Sequence, residues 1–175
     1  VAGGGFPQVF GALGAERIVP VAPPDAAALS DPQILAAAGS VVKITGSARS
    51  CSRGIAGSGF VFAPGRVMTN AHVVAGVRQP YVPQGDKGNK VTGTVVYYDP
   101  YVDVAVLAVD GLPAKALTFD VAASGPGTSA VVAGYPQDGP YTASAVRVRG
   151  IENARGPDIY QDRQVTRQIY ALRGD

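Results

Sequence analysis

The spacing of apolar positions changes at Ser40. Upstream, residues 1–38 are rich in alanine, glycine and proline, and Pro20, Pro23, Pro24 and Pro32 break any long helix. Residues 25–38 have room for one short helix capped by Ser30 or Asp31, with Pro32 at its first position, and the rest reads as a linker packed along the domain. From Ser40 the period becomes that of strands. Residues 41–45 form one, 47–55 a turn-rich loop, and 57–62 a second strand whose small residues let another backbone approach closely. Ala63-Pro64-Gly65 turns the chain back through Arg66 to Asn70, and residues 73–76 read as a helical turn closed by glycine. Residues 79–82 extend, 85–89 turn, 90–98 alternate as one long strand, and Asp99-Pro100-Tyr101 bends the chain into a buried run that Asp103 opens. About six strands joined by short connections predict a closed antiparallel barrel over residues 39–112. Residues 113–175 hold three more strands, at 128–135, 141–149 and 163–172, about half of what closing a second six-stranded barrel requires.

Composition narrows the class without naming a function. At 175 residues, 46% hydrophobic and 16% charged, the chain can bury a sizeable core. A net charge of +2, with scattered lysines and arginines, is no electrostatic footprint for nucleic acid, so no nucleic-acid partner is expected. No apolar run reaches the roughly 18 residues that span a bilayer, and the first five residues lack the basic start and hydrophobic region of a signal peptide. With no initiator methionine, the chain reads as a fragment or processed form whose export signal or membrane anchor would lie upstream. One cysteine and one histidine argue against a protein-only zinc site, and no cofactor is implied.

The one histidine, His72, ends the run Val67-Met68-Thr69-Asn70-Ala71-His72. Imidazole takes and returns a proton near neutral pH, although a single histidine beside apolar residues is more often structural. Asp103 changes the balance, because a carboxylate at the mouth of a buried strand needs a partner, and an imidazole N–H would serve. Asp99, preceding Pro100, reads as a turn former instead. Ser58 lies within a strand and reads as packing, and Cys51, in a loop, has no free base to make it a nucleophile.

Gly57-Ser58-Gly59-Phe60-Val61-Phe62, Thr69-Asn70-Ala71-His72-Val73-Val74 and Asp99-Pro100-Tyr101-Val102-Asp103-Val104-Ala105-Val106-Leu107 resemble, in order and spacing, the trypsin-like serine proteases. Within that family they are most similar to the bacterial HtrA-like branch, and among these to membrane-anchored periplasmic proteases of acid resistance. The resemblance covers about residues 38–175 and implies a chymotrypsin-like fold of two six-stranded barrels, the second incomplete here. It implies hydrolysis of protein or peptide substrates, with His72 as general base and Asp103 as its orienter. Loss of the base on acidification would make activity rise with pH through about 6 to 7, the ordinary histidine range. The family's nucleophile sits in a Gly-x-Ser-Gly-Gly-like loop that this chain lacks. Ser124 in Ala123-Ser124-Gly125-Pro126 is the nearest imitation, but Pro126 removes a donor where an oxyanion hole needs one; Ser129 and Ser144 lie within strands. The expectation is that the serine, and a disulfide partner for Cys51, belong to a C-terminal fragment of the same protease domain. Location in the periplasm or cell envelope follows from the resemblance alone. Two other readings stay open: a protease-like binding or scaffold module that hydrolyses nothing, and a domain joined to a redox partner through Cys51. The terminal Arg-Gly-Asp is given no weight as an adhesion motif.

Overall fold

A computed structural model describes residues 19–48, 53–84 and 89–174. Cys51 and the 85–88 part of the turn expected before the long strand lie outside those residues. The lead-in is partly helical. Residues Ala26–Ser30 form a 3-10 turn, followed by helix α1 (Pro32–Ala38). Of the two possible caps, Asp31 is used: its carboxylate accepts the Gln33 N–H at 2.7 Å, and Pro32 occupies the first helical position, where a missing N–H costs no hydrogen bond.

Seven strand segments build the first sheet: β1 (Val41–Ala48), β2 (Arg53–Ala63), β3 (Arg66–Thr69), β4 (Tyr81–Gln84), β5 (Asn89–Thr92), β6 (Thr94–Asp99) and β7 (Val104–Ala108), with the single-turn helix α2 (Ala71–Val74) after β3. Neighbours pair antiparallel in the order β5-β4-β1-β2-β3-β7-β6. The two ends of that order, β5 and β6, are separated in sequence only by Gly93, so one bent strand reaches both edges and closes the barrel. The alternating run at 90–98 is therefore two strands, hinged where the Gly93 N–H leaves the ladder to bond the Pro80 carbonyl at 2.8 Å. The β1–β2 pairing continues to Ala48↔Arg53, which draws Ser47, Gly54 and Ile55 out of the expected loop and into the strands.

Alternate residues of these strands fill the barrel: Val42 and Ile44 from β1, Val61 from β2, Val67 from β3, Ala105 and Leu107 from β7. Each buried Val, Ile or Leu contributes about 1.5–3 kcal/mol over leaving it exposed. Close approach at the β2 glycines is part of the same packing. A Cβ on Gly59 would sit 2.7 Å from Ile44 Cδ1, 2.8 Å from the Met68 carbonyl oxygen and 2.9 Å from Val67 Cγ1. One of those neighbours is backbone of the adjacent strand, so no rotamer change relieves it. Gly59→Ala should therefore destabilise the fold by about 1–3 kcal/mol, lowering the thermal midpoint by about 2–4 °C per kcal/mol. Gly54→Ala, with nothing within 4 Å of its would-be Cβ, is the control in the same melts.

The second sheet has three strands, β8 (Ser129–Gly134), β9 (Thr142–Pro157) and β10 (Gln164–Arg173), in the order β10-β9-β8. Strand β9 runs well past Arg149, because Gly150 to Pro157 pair in register with β10 despite a loop-like composition. The upstream segment crosses this sheet rather than hanging free: Arg147 Nε donates to the Pro23 carbonyl at 3.0 Å, and Arg173 Nη1 to that of Val21.

Candidate active site

Helix α2 is anchored from below. Ala71, Val73 and Val74 are buried, while the His72 side chain, on the other side of the turn, is 58% exposed. The helical turn begins two residues earlier than the glycine-closed segment suggested, which places His72 within it. Gly76 follows with φ +70°, a conformation that favours glycine.

Asp103 arrives by a separate route. Asp99 shapes the turn before it, its Oδ1 accepting the N–H groups of Tyr101 at 2.8 Å and Val102 at 3.2 Å. The chain then passes through Asp103 at φ +61°, a left-handed conformation that aspartate tolerates better than most side chains. Strand β7 pairs at once with β3, Ala105 opposite Thr69, and this register brings Asp103 against the start of α2.

The two side chains meet. His72 Nδ1 lies 2.8 Å from Asp103 Oδ2, and the His72 backbone N–H donates to Oδ1 at 2.9 Å. Asn70 Nδ2 adds bonds to the Asp103 carbonyl at 3.0 Å and to Oδ2 at 3.3 Å. The carboxylate is thus held by Asn70 and His72 at the start of the α2 turn, and its side chain is only 16% exposed. Burial pushes the Asp103 carboxyl up, but the bonds from the His72 ring and backbone N–H, with the charges of His72 and Arg167, outweigh it and hold it below the usual carboxylate range. With Nδ1 donating to Asp103, Nε2 is left as the acceptor, and among the described residues no hydroxyl bonds the ring.

His72 borders a cleft of about 450 Å³ between the two sheets, with Ser58, Val73, Tyr135, Gln137 and Ser144 among its walls. Ser58 is engaged in joining the sheets: its Oγ accepts the Tyr135 N–H at 2.8 Å, and its carbonyl accepts Thr69 Oγ1 at 2.8 Å. Ser124 lies in the loop before β8, its N–H donated to Tyr170 Oη at 3.1 Å, and Ser129 Oγ accepts from Arg147 Nη1 at 2.8 Å. Sequence reading singled out neither Asn70 nor the bonding of Ser58; the only signal for Asn70 was its place two residues before His72.

One wall of the cleft is strained. In the 3-10 turn Pro136–Asp138, Gln137 has φ +53° and Asp138 φ +63°. Each left-handed non-glycine residue costs about 1–2 kcal/mol. Lys43, reaching across from β1, bonds both the Asp138 carbonyl at 2.6 Å and its carboxylate. Lys43→Met should release the turn at a cost of about 1 kcal/mol, read as faster amide exchange over residues 136–140 with the barrel amides unchanged.

A trypsin-like peptidase domain matches residues 57–172, and the chain belongs to that family. The chain is 45% identical over 172 residues to the serine protease Rv3671c of Mycobacterium tuberculosis, covering 98% of this chain but 43% of that protein, so it spans under half of the relative's length. The active form of the Rv3671c protease superposes with a TM-score of 0.86 at 45% identity, covering 95% of this chain and 73% of the solved one. A form described as inactive, with a serine-to-alanine substitution, gives 0.77 over 90% and 77%. The HtrA-type protease AlgW shares the fold at 24% identity, with a TM-score of 0.58 over 67% of this chain and 38% of that one.

Proposed function

We propose that this chain supplies the general base and its orienting acid to a serine endopeptidase that hydrolyses peptide bonds of protein substrates. The observation that carries this reading is the two-point grip of Asp103 on His72, through ring and backbone, at the edge of an intersheet cleft. In that geometry Nε2 accepts the proton of a serine hydroxyl as it attacks the substrate carbonyl, then returns it to the leaving amine, while Asp103 stabilises the imidazolium. The nucleophile is assigned to residues beyond these 175. Ser58, beside His72 in the cleft, has its Oγ engaged by the Tyr135 N–H, the solved Rv3671c chain is longer than the part matched here, and one of its solved forms carries a serine-to-alanine substitution. The same segment would bring the oxyanion-hole donors and further strands for the open edges of β8 and β10.

The resemblance to envelope proteases supports action in the periplasm or cell envelope, with a membrane anchor upstream, in a stress or acid-resistance role. In that oxidising setting Cys51 would pair with a cysteine outside this chain. A fluorophosphonate probe applied to the full-length protein tests the activity. Labelling of one serine, lost in His72→Ala, is the expected result; a folded protein that takes no label is a binding module instead.

A further inference from the structure

Strand β10 buries one of its ten residues, and that residue is Arg167. A guanidinium is charged at every accessible pH and is costly to remove from water, so an arginine as the one buried residue of a strand whose others are exposed or half-buried needs an account. Arg167, 8% exposed, donates Nε to the Tyr101 carbonyl at 2.7 Å. Tyr101 belongs to the turn that delivers Asp103, and Arg167 belongs to the other sheet. Two more contacts from the β9–β10 connection reach the same place: the Ile159 N–H bonds the Pro100 carbonyl at 3.4 Å, and Tyr160 Oη bonds Tyr98 Oη.

We propose that Arg167 is a positioning residue for the His72–Asp103 pair, fixing the turn that carries the acid from the second sheet. The proposal rests on the catalytic reading above. His72 and Asn70 bond the Asp103 carboxylate from the α2 side, while Tyr98 from β6 and Arg167 from β10 act on it through charge; Arg167 is the permanent cation among them. Its charge favours the ionised carboxylate, and its hydrogen bond to the Tyr101 carbonyl ties down the turn two residues before Asp103. The arrangement also makes the geometry of the base depend on the second sheet being correctly docked.

The variants are Arg167→Met, which fills the space without charge or donor, and Arg167→Lys, which keeps the charge on a different head. Replacing a buried charge by an apolar side chain of similar volume is commonly tolerated by the fold. In the full-length protein Arg167→Met should lower kcat about tenfold, the scale of a modest misplacement of a catalytic group, with KM changed less than twofold; Arg167→Lys should recover part of the loss. The single histidine of this chain gives a second readout. In labelled protein the Nδ1–H proton resonance of His72, shifted downfield by its bond to Asp103, should broaden or move in Arg167→Met. If both variants melt earlier but keep kcat and the His72 resonance of the wild type, Arg167 is only structural and the proposal falls. If the wild type hydrolyses nothing, the catalytic reading fails, and the His72 resonance alone decides whether Arg167 positions the pair.

Discussion

His72→Ala in the full-length protein is expected to lower peptide hydrolysis by about four to six orders of magnitude, while the fold survives. Both halves of that expectation come from where the residue sits. Its ring is more exposed than buried, and among the described residues its only hydrogen bond is to Asp103, so deleting it opens no cavity in the barrel. The buried neighbours Ala71, Val73 and Val74 continue to anchor α2, and the backbone N–H at position 72 still donates to Asp103 Oδ1. What disappears is the only imidazole in the chain able to take the serine proton. The remaining acceleration would come from the oxyanion hole and substrate binding, which do not need a base. Steady-state rates with a peptide substrate, alongside a thermal melt, check both parts. A folded His72→Ala protein within tenfold of the wild-type rate would remove His72 from the mechanism.

The His72–Asp103 contact was more legible than the connections that support it. His72 and Asp103 stand in short local motifs, and the alternation in β7 buries the strand that Asp103 opens, so their pairing could be expected from that carboxylate's need for a partner and from the resemblance of the motifs. The turn-forming role of Asp99 was readable for the same reason, since its partners are two and three residues away. Arg167 and Ser58 were not readable. Their partners lie 66 and 77 residues distant, and nothing in the local pattern marks an arginine as the buried residue of its strand or a strand serine that accepts a bond from the other sheet. The bend at Gly93 was missed because hydrophobic alternation continues across it. Barrel closure, a property of the whole sheet, decides that the strand must break there. Strand β9 extends past the expected end at Arg149, because pairing with β10 overrides the loop-like preference of Gly150, Asn153 and Gly156.

Asp103→Asn should lower neutral-pH turnover by about four orders of magnitude with His72 still present. Asp103 Oδ1 accepts the His72 backbone N–H, and an asparagine keeps that bond most simply by placing its carbonyl oxygen there. Its amide NH₂ then faces His72 Nδ1, where the wild type presents an acceptor oxygen. The ring must accept at Nδ1 and carry its proton on Nε2, the wrong tautomer for a base. The same substitution has a signature in stability. A carboxyl held below its ordinary value stabilises the folded state fully at pH above the unfolded value of about 3.9, and this contribution is lost as the pH falls through the lower, folded value. The variant has no such contribution to lose. The gap in urea midpoint between wild type and Asp103→Asn should therefore be widest at neutral pH and close progressively below about pH 4. A gap that stays constant down to pH 2 would mean that ionisation of Asp103 is not coupled to folding. A closing gap without the rate loss would mean that the contact is structural and the chemistry lies elsewhere.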